Sequence, residues 1–310
     1  MLDRTLADWP PPERLNVALM TLHLALNLYQ FLLLPLVLQP RDPWWALTLI
    51  PLVAANNPLW SLIHETIHGS FHRSSRLNRL AGRALSVAFA APWRVLRTGH
   101  LLHHRLNRTE ADRNEAYDPR ETNALRAAPT YYYQLLIGLY VSQLLSPIAF
   151  FLPQRALDWA RPRFLEPKSY SGKAAAVLTR PDSVAEIRLD GALIMLLLGT
   201  SLFAYGAWWW LVPAILAARC VCISFLDYVY HYGTPIDRRL HAYNLRLPAP
   251  LSTALLNFNL HAVHHRHPNL PWRWLPEAFR AESDDYQGGY VAAALRQLRG
   301  PIALPSLAAL

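Results

Sequence analysis

The sequence predicts an all-α integral membrane protein with about four transmembrane helices, a further membrane-embedded or interfacial segment, and a cytosolic histidine-rich cap. Three observations lead there. Hydrophobic residues make up 53% of the chain against 16% charged, a balance that suits a bilayer. Four apolar stretches, 15–38, 44–63, 191–206 and 208–230, can cross about 30 Å of hydrocarbon as helices, the third being short. Nine of the 13 histidines fall into a pattern that core packing rarely generates: His64 and His68; His100, His103 and His104; His231; and His261, His264 and His265.

The elements follow in chain order as one domain, 1–310. The opening MLDRTLADWPPPERLN carries acids and prolines and no small-residue cleavage site, so no removable signal peptide is expected. Residues 39–43 are a turn between the first two spans, and Trp208, Trp209 and Trp210 belong to an aromatic belt beside the turn at Gly206. Segment 80–97 mixes apolar residues with arginine and reads as an interfacial helix. The apolar stretch 131–152 has arginine-rich flanks on both sides, so by the positive-inside rule it enters and leaves on one face, with Pro147 helping to bend it. Arginines in 238–299 place the C-terminal part inside too, and by parity both termini and every histidine cluster are expected in the cytoplasm.

The net charge of +9 is almost wholly arginine, since Lys168 and Lys173 are the only lysines, and it suits anionic headgroups. These arginines are dispersed between apolar segments and accompany no nucleic-acid motif, which excludes a nucleic-acid partner. Cys220 and Cys222 lie two apart in an apolar segment and read as packing residues.

His64 and His68 stand one helical turn apart, and HxxHH occurs at 100–104 and again at 261–265. One HxxxH is weak; three clusters supply nitrogen for two metal ions. Imidazole alone leaves the metal open among Zn, Cu, Fe and Ni. Glu65, Asp112 and Asp118 are candidate acceptors for the other N–H of a ligand histidine. His23 reads as a packed neutral residue, His241 and His267 as loop residues, and His72 is left out of the set.

With these motifs the chain, from about residue 15 to 276, resembles the membrane fatty acid desaturase and hydroxylase superfamily. HETIH at 64–68, HLLHH at 100–104 and HAVHH at 261–265 are similar to its three histidine boxes, and NFNL at 257–260 with PNLPW at 268–272 is similar to the setting of the last. DYVYHYG at 227–233 is similar to an element of membrane alkane hydroxylases that carries an extra metal-binding histidine, here His231; Asp227 departs from the asparagine common there. The resemblance implies a non-haem diiron centre held by the nine histidines, with no catalytic residue beyond it. Asp227, Glu65 and Asn257 are candidates for a tenth ligand or for a partner of a ligand. It also implies O2 as co-substrate, a bacterial inner-membrane location, and desaturation of a lipid or fatty acyl chain; hydroxylation, ketolation and alkene-forming decarboxylation occur on the same scaffold. The chain shows no flavin, nicotinamide, haem or iron–sulfur motif, so a ferredoxin or similar external donor is expected. HETIH is also literally the HExxH of zinc proteases with Glu65 as base, a competing reading that leaves the other clusters unexplained. A metal carrier is the remaining alternative.

Overall fold

A run of three prolines, Pro10 to Pro12, leads into α1 (Glu13–Leu28), where missing donors cost nothing because the first turn has no intrahelical partners. The computed structural model describes residues 9–38, 41–237 and 240–308. Residues 39 and 40 of the expected turn, the first eight residues, arginines 238 and 239, and the last two residues lie outside the described residues. α1 continues as a π-helical run, Tyr29–Leu38, that accommodates Pro35. A 3₁₀ turn, Pro43–Thr48, capped by Asp42, then leads through α2 (Leu49–Ala54) into α3 (Asn56–His68). Gly69 ends α3 in the left-handed region at φ 80°, with the Ser70 N–H returning to the Glu65 carbonyl.

Ser74 caps α4 (Ser75–Phe89), and α5 (Trp93–Leu106) follows. The expected single interfacial helix over 80–97 is therefore two helices. Ala90 turns left-handed at φ 64°, and Pro92, which cannot donate to a continuing helix, starts the second.

α6 (Ala124–Tyr133), a π turn (Gln134–Gly138) and α7 (Leu139–Phe150) form one helical run. Pro147 lies within α7 and does not end it; Gly191 comes so close to Pro147 that an added Cβ would lie 3.0 Å from the Pro147 Cβ. α8 (Gln154–Phe164) and α9 (Tyr170–Leu178) precede the longest helix, α10 (Pro181–Tyr205), which a 3₁₀ turn joins to α11 (Leu211–Tyr228).

α10 starts ten residues before the short span expected at 191. Its first turns carry Asp182, Glu186, Arg188 and Asp190, whose charges read from sequence as the end of the apolar stretch. They are satisfied by distant partners. The Asp190 carboxylate, 1% exposed, accepts from Arg83 Nε at 2.8 Å and from the Trp93 N–H at 3.3 Å, and Arg188 donates to the Phe150 and Leu152 carbonyls.

Among the described residues, five helical runs are long and apolar enough to cross a membrane: Glu13–Leu36, Pro43–His68, Ala124–Phe150, Pro181–Trp208 and Leu211–Tyr228. The first, second, fourth and fifth contain or overlap the four expected spans. Ala124–Phe150, the stretch expected to stay on one face, is the addition. Its two ends pack where α10 begins and α11 finishes: the Tyr131 ring centroid is 6.1 Å from that of Tyr228, the Tyr140 N–H reaches Ser224, and the Phe150 carbonyl accepts from Arg188.

Large apolar side chains face outward on these runs, Phe203 at 89% exposure and Ile50 at 69%, while polar ones lie inside. Arg219, fully buried on α11, donates to Asn27 Oδ1 and the Ala88 carbonyl. Exposed Trp44, Trp45, Trp208, Trp209 and Trp210 sit at the two connecting turns, where interfacial tryptophan is favoured.

The C-terminal part is built from short pieces: α12 (Ala249–Ala254), α13 (His261–Arg266), α14 (Leu275–Ala281), α15 (Tyr290–Arg296) and α16 (Leu304–Ala308). Two parallel two-residue pairs fasten it among the described residues, β1 (Ala116–Tyr117) with β4 (Ile302–Ala303) and β2 (Leu245–Arg246) with β3 (Gly288–Gly289).

Candidate metal centre

Three helices and one turn bring the nine histidines together. α3 delivers His64 and His68 from its last turn and α5 delivers His100, His103 and His104. The turn after α11 carries His231, and α13 carries His261, His264 and His265. α13 is only six residues long and depends on outside help. Asn244 Oδ1 accepts from the N–H groups of Ala262 and Val263 at 3.0 and 3.2 Å, two of the donors a helix start leaves unsatisfied. Pro268 stands two residues beyond its end and cannot extend it.

The side chains sort into two groups of potential ligands: His64, His68, His100, His104 and His264 in one, and His103, His231, His261 and His265 in the other. Helix geometry explains the split. At about 100° per residue, positions i and i+4 differ by about 40° while i+3 falls about 60° to the other side. In α5 the i,i+4 pair His100 and His104 serves the group of five and His103 the group of four. In α13 the roles exchange: His261 and His265 serve the group of four and His264 the group of five.

The donor atoms converge. Nε2 of His64 lies 3.0 Å from Nε2 of His264, which is 3.0 Å from that of His104; His100 lies 2.9 Å from His104 and 2.8 Å from His68. In the other group, Nε2 of His231 is 3.1 Å from those of both His103 and His261, and His265 is 3.1 Å from His261. Two nitrogens about 2.1 Å from a metal stand about 3.0 Å apart at a right angle and about 3.4 Å apart in a tetrahedron. The spacing matches right-angle coordination.

Neutral imidazole carries a single N–H, and among the described residues Nδ1 of buried His64, His261 and His265 finds no hydrogen-bond partner. Burial, together with the charges of neighbouring histidines, holds His100, His231, His261, His264 and His265 well below the ordinary histidine pKa and pushes His104 down to about 2. These rings are therefore neutral, with lone pairs aimed at common points, which is the donor set a transition metal takes. His103 departs from the pattern. Burial lowers its pKa, but the Asp112 carboxylate, 2.7 Å from Nδ1, outweighs it and raises the value.

The remaining candidates lie around the two groups. Glu65, 4% exposed, accepts the Trp272 N–H at 3.1 Å and stands 4.0 Å from Nδ1 of His64, so it braces α3 against the segment after α13. Asn257, in the left-handed region at φ 54°, donates to the Trp272 carbonyl and accepts from Ser252. Asp227 joins neither group of potential ligands; its carboxylate accepts from Trp60 Nε1 at 2.9 Å. Asp118 pairs with exposed Arg120, away from the histidines. Of the histidines outside the set, His23 is buried, His72 stands 3.4 Å from Glu13, His241 bonds the Pro235 carbonyl and His267 bonds Glu282 at 2.5 Å.

Sequence reasoning missed Asn244, Trp60, Arg108 and Tyr230, whose ring stacks on that of His261 at 4.5 Å. Their sequence signal is proximity to a candidate ligand histidine, Trp60 standing one helical turn before His64 and Arg108 four residues after His104, and Asn244 has scarcely that.

Membrane-crossing helices with two metal-compatible histidine groups at their ends define an integral membrane protein of the histidine-box type. The chain belongs to the fatty acid desaturase family: the family's model, described as fatty acid desaturase, matches residues 42–294. No curated protein matches the chain.

Proposed function

We propose that this chain is a non-haem diiron oxidase that uses O2 and external electrons to desaturate the alkyl chain of a lipid or fatty acyl substrate. The partition of nine Nε2-converging histidines into groups of five and four carries the reading, because it supplies two adjacent positions of nitrogen ligands. Iron bound there would supply the O2 activation and hydrogen-atom abstraction that side chains lack.

The chain's own residues do the rest. Asp112 holds the proton on Nδ1 of His103, leaving Nε2 free to coordinate. Glu65 and Asn257 anchor Trp272 against α3. Leu59, Leu62, Ile63, Phe89 and Ile223 belong to one buried apolar cluster that includes residues of the box-bearing helix α3 and would keep water from an alkyl chain held there. The zinc-protease reading fares worse, since Glu65 is buried and already accepts the Trp272 N–H, and three further histidines crowd His64 and His68.

The proposal includes orientation. The contacts of Ala124–Phe150 at both ends favour a run lying along the cytosolic ends of α10 and α11, so four crossings put all boxes and both termini in the cytoplasm of a bacterial inner membrane. A ferredoxin or similar acidic carrier would dock among the arginines of that face.

Profiling lipids from cells with and without the gene product tests the reaction. A new double bond or its loss supports desaturation, and a new hydroxyl, keto group or terminal alkene reassigns the outcome within the family. Oxygen-independent product, or no change in a strain in which the purified protein carries two irons and accepts electrons, contradicts the proposal.

A further inference from the structure

The loop 107–115, between α5 and β1, touches the two histidine groups unequally. Arg108, at φ 64° and 3% exposure, buries its guanidinium against the turn that follows α11. Nη2 donates to the Thr234 carbonyl at 2.7 Å, Nε to the Pro235 carbonyl at 3.3 Å, and Nη1 to the His231 carbonyl at 3.4 Å and to Glu115 Oε1 at 2.6 Å. Glu115, 1% exposed, also accepts from the Tyr228 hydroxyl at 3.3 Å. The Arg108 N–H closes the loop onto the Asp112 carbonyl at 3.1 Å, and the Asp112 carboxylate holds His103.

Glu115 supplies a carboxylate that balances the charge of buried Arg108. The other donors of its rigid fork go to three main-chain carbonyls of residues 231–235. Beyond the last residue of α11 the turn keeps two bonds to the helix, from the N–H groups of His231 and Tyr232 to the Tyr228 carbonyl at 3.1 and 3.3 Å, and its carbonyls at 231, 234 and 235 are held from outside by Arg108. His103 and His231 both belong to the group of four. Among the described residues, no side-chain hydrogen bond of Arg108, Asp112 or Glu115 reaches a histidine of the group of five.

We propose that Arg108, braced by Glu115, is a positioning residue for one metal position only: it sets the 231–235 turn so that His231 faces His103 and His261, and its loss empties the four-histidine position while the five-histidine position stays filled. The inference rests on the two-metal reading above.

The test uses the full chain purified in detergent and loaded with Mössbauer-active iron. Wild type should carry two irons in two spectral components; fewer than two would sink the two-metal reading itself, before Arg108 is in question. Arg108→Met should lose one component and half the iron and leave the other component unchanged, and Arg108→Lys, which keeps the charge without the fork, should recover part of it. Two irons with unaltered spectra in Arg108→Met, or equal loss of both components, overturns the proposal. If Arg108→Met does not fold, Glu115→Gln decides: it leaves the carbonyl bonds possible and should perturb the same single component, whereas no perturbation or perturbation of both refutes the assignment.

Discussion

Replacing Asp112 tests whether an outer carboxylate tunes the group of four. Its Oδ2 lies 2.7 Å from Nδ1 of His103, a short contact of the charge-assisted kind, and its side chain is 16% exposed, so solvent screens it only in part. Partners of this type typically change metal affinity by about 10–100-fold, which is about 1.4–2.7 kcal/mol. Asp112→Asn keeps an acceptor of the same shape and loses the charge, so it should fall near the lower end. Asp112→Ala removes the acceptor as well and should approach the upper end. The assay is equilibrium competition for ferrous iron against a soluble chelator, with Asp118→Asn as the control because Asp118 pairs with exposed Arg120. Iron affinity within about twofold of wild type in Asp112→Ala, or an equal loss in Asp118→Asn, would refute the reasoning.

Three further outcomes are expected. Asp190→Ala leaves the buried Trp93 N–H without its acceptor and frees Arg83, which is 29% exposed and regains some water; thermal unfolding in detergent should show a loss of about 2–4 kcal/mol, partly restored in Asp190→Asn, and a loss below about 0.5 kcal/mol would contradict it. Asp227→Asn should retain both irons because the amide oxygen can still accept from Trp60, whereas an iron lost from this variant would make Asp227 a ligand after all. Metal-free protein should become less stable as pH falls from 7.5 to about 5. In that window the unfolded chain, with histidine near 6.5, binds more protons than a fold whose His100, His104, His231, His261, His264 and His265 are depressed, so stability is full above about 6.5 and declines below it. His103, raised by Asp112, acts in the opposite sense but is one ring against six. A melting temperature that stays flat or rises on acidification would show that these rings are not neutral in the fold.

The box histidines were legible because i,i+3 and i,i+4 spacings fix which face of a helix each occupies. Which group each joins was not: the spacing sets His103 apart from His100 and His104, and His264 apart from His261 and His265, but which pair meets which single histidine depends on how α5 and α13 approach each other. The first ten residues of α10 were lost for a related reason. Asp190 reads as the polar edge of a span until Arg83, more than a hundred residues away, is brought onto it. The break between α4 and α5 did have a local sign in Pro92, which the arginine-rich amphipathic pattern of 80–97 masked. Asp112 and Asp118 looked equivalent in the sequence, and only the fold separates the carboxylate on His103 from the one paired with Arg120.

The most direct measurement is metal identity and stoichiometry of the purified chain beside two single variants, His104→Ala from the group of five and His265→Ala from the group of four. Two irons in the wild type, with each variant losing a different spectroscopic component, is the expected result. A single zinc in the wild type, or full iron in both variants, would contradict a two-metal centre built from these nine histidines.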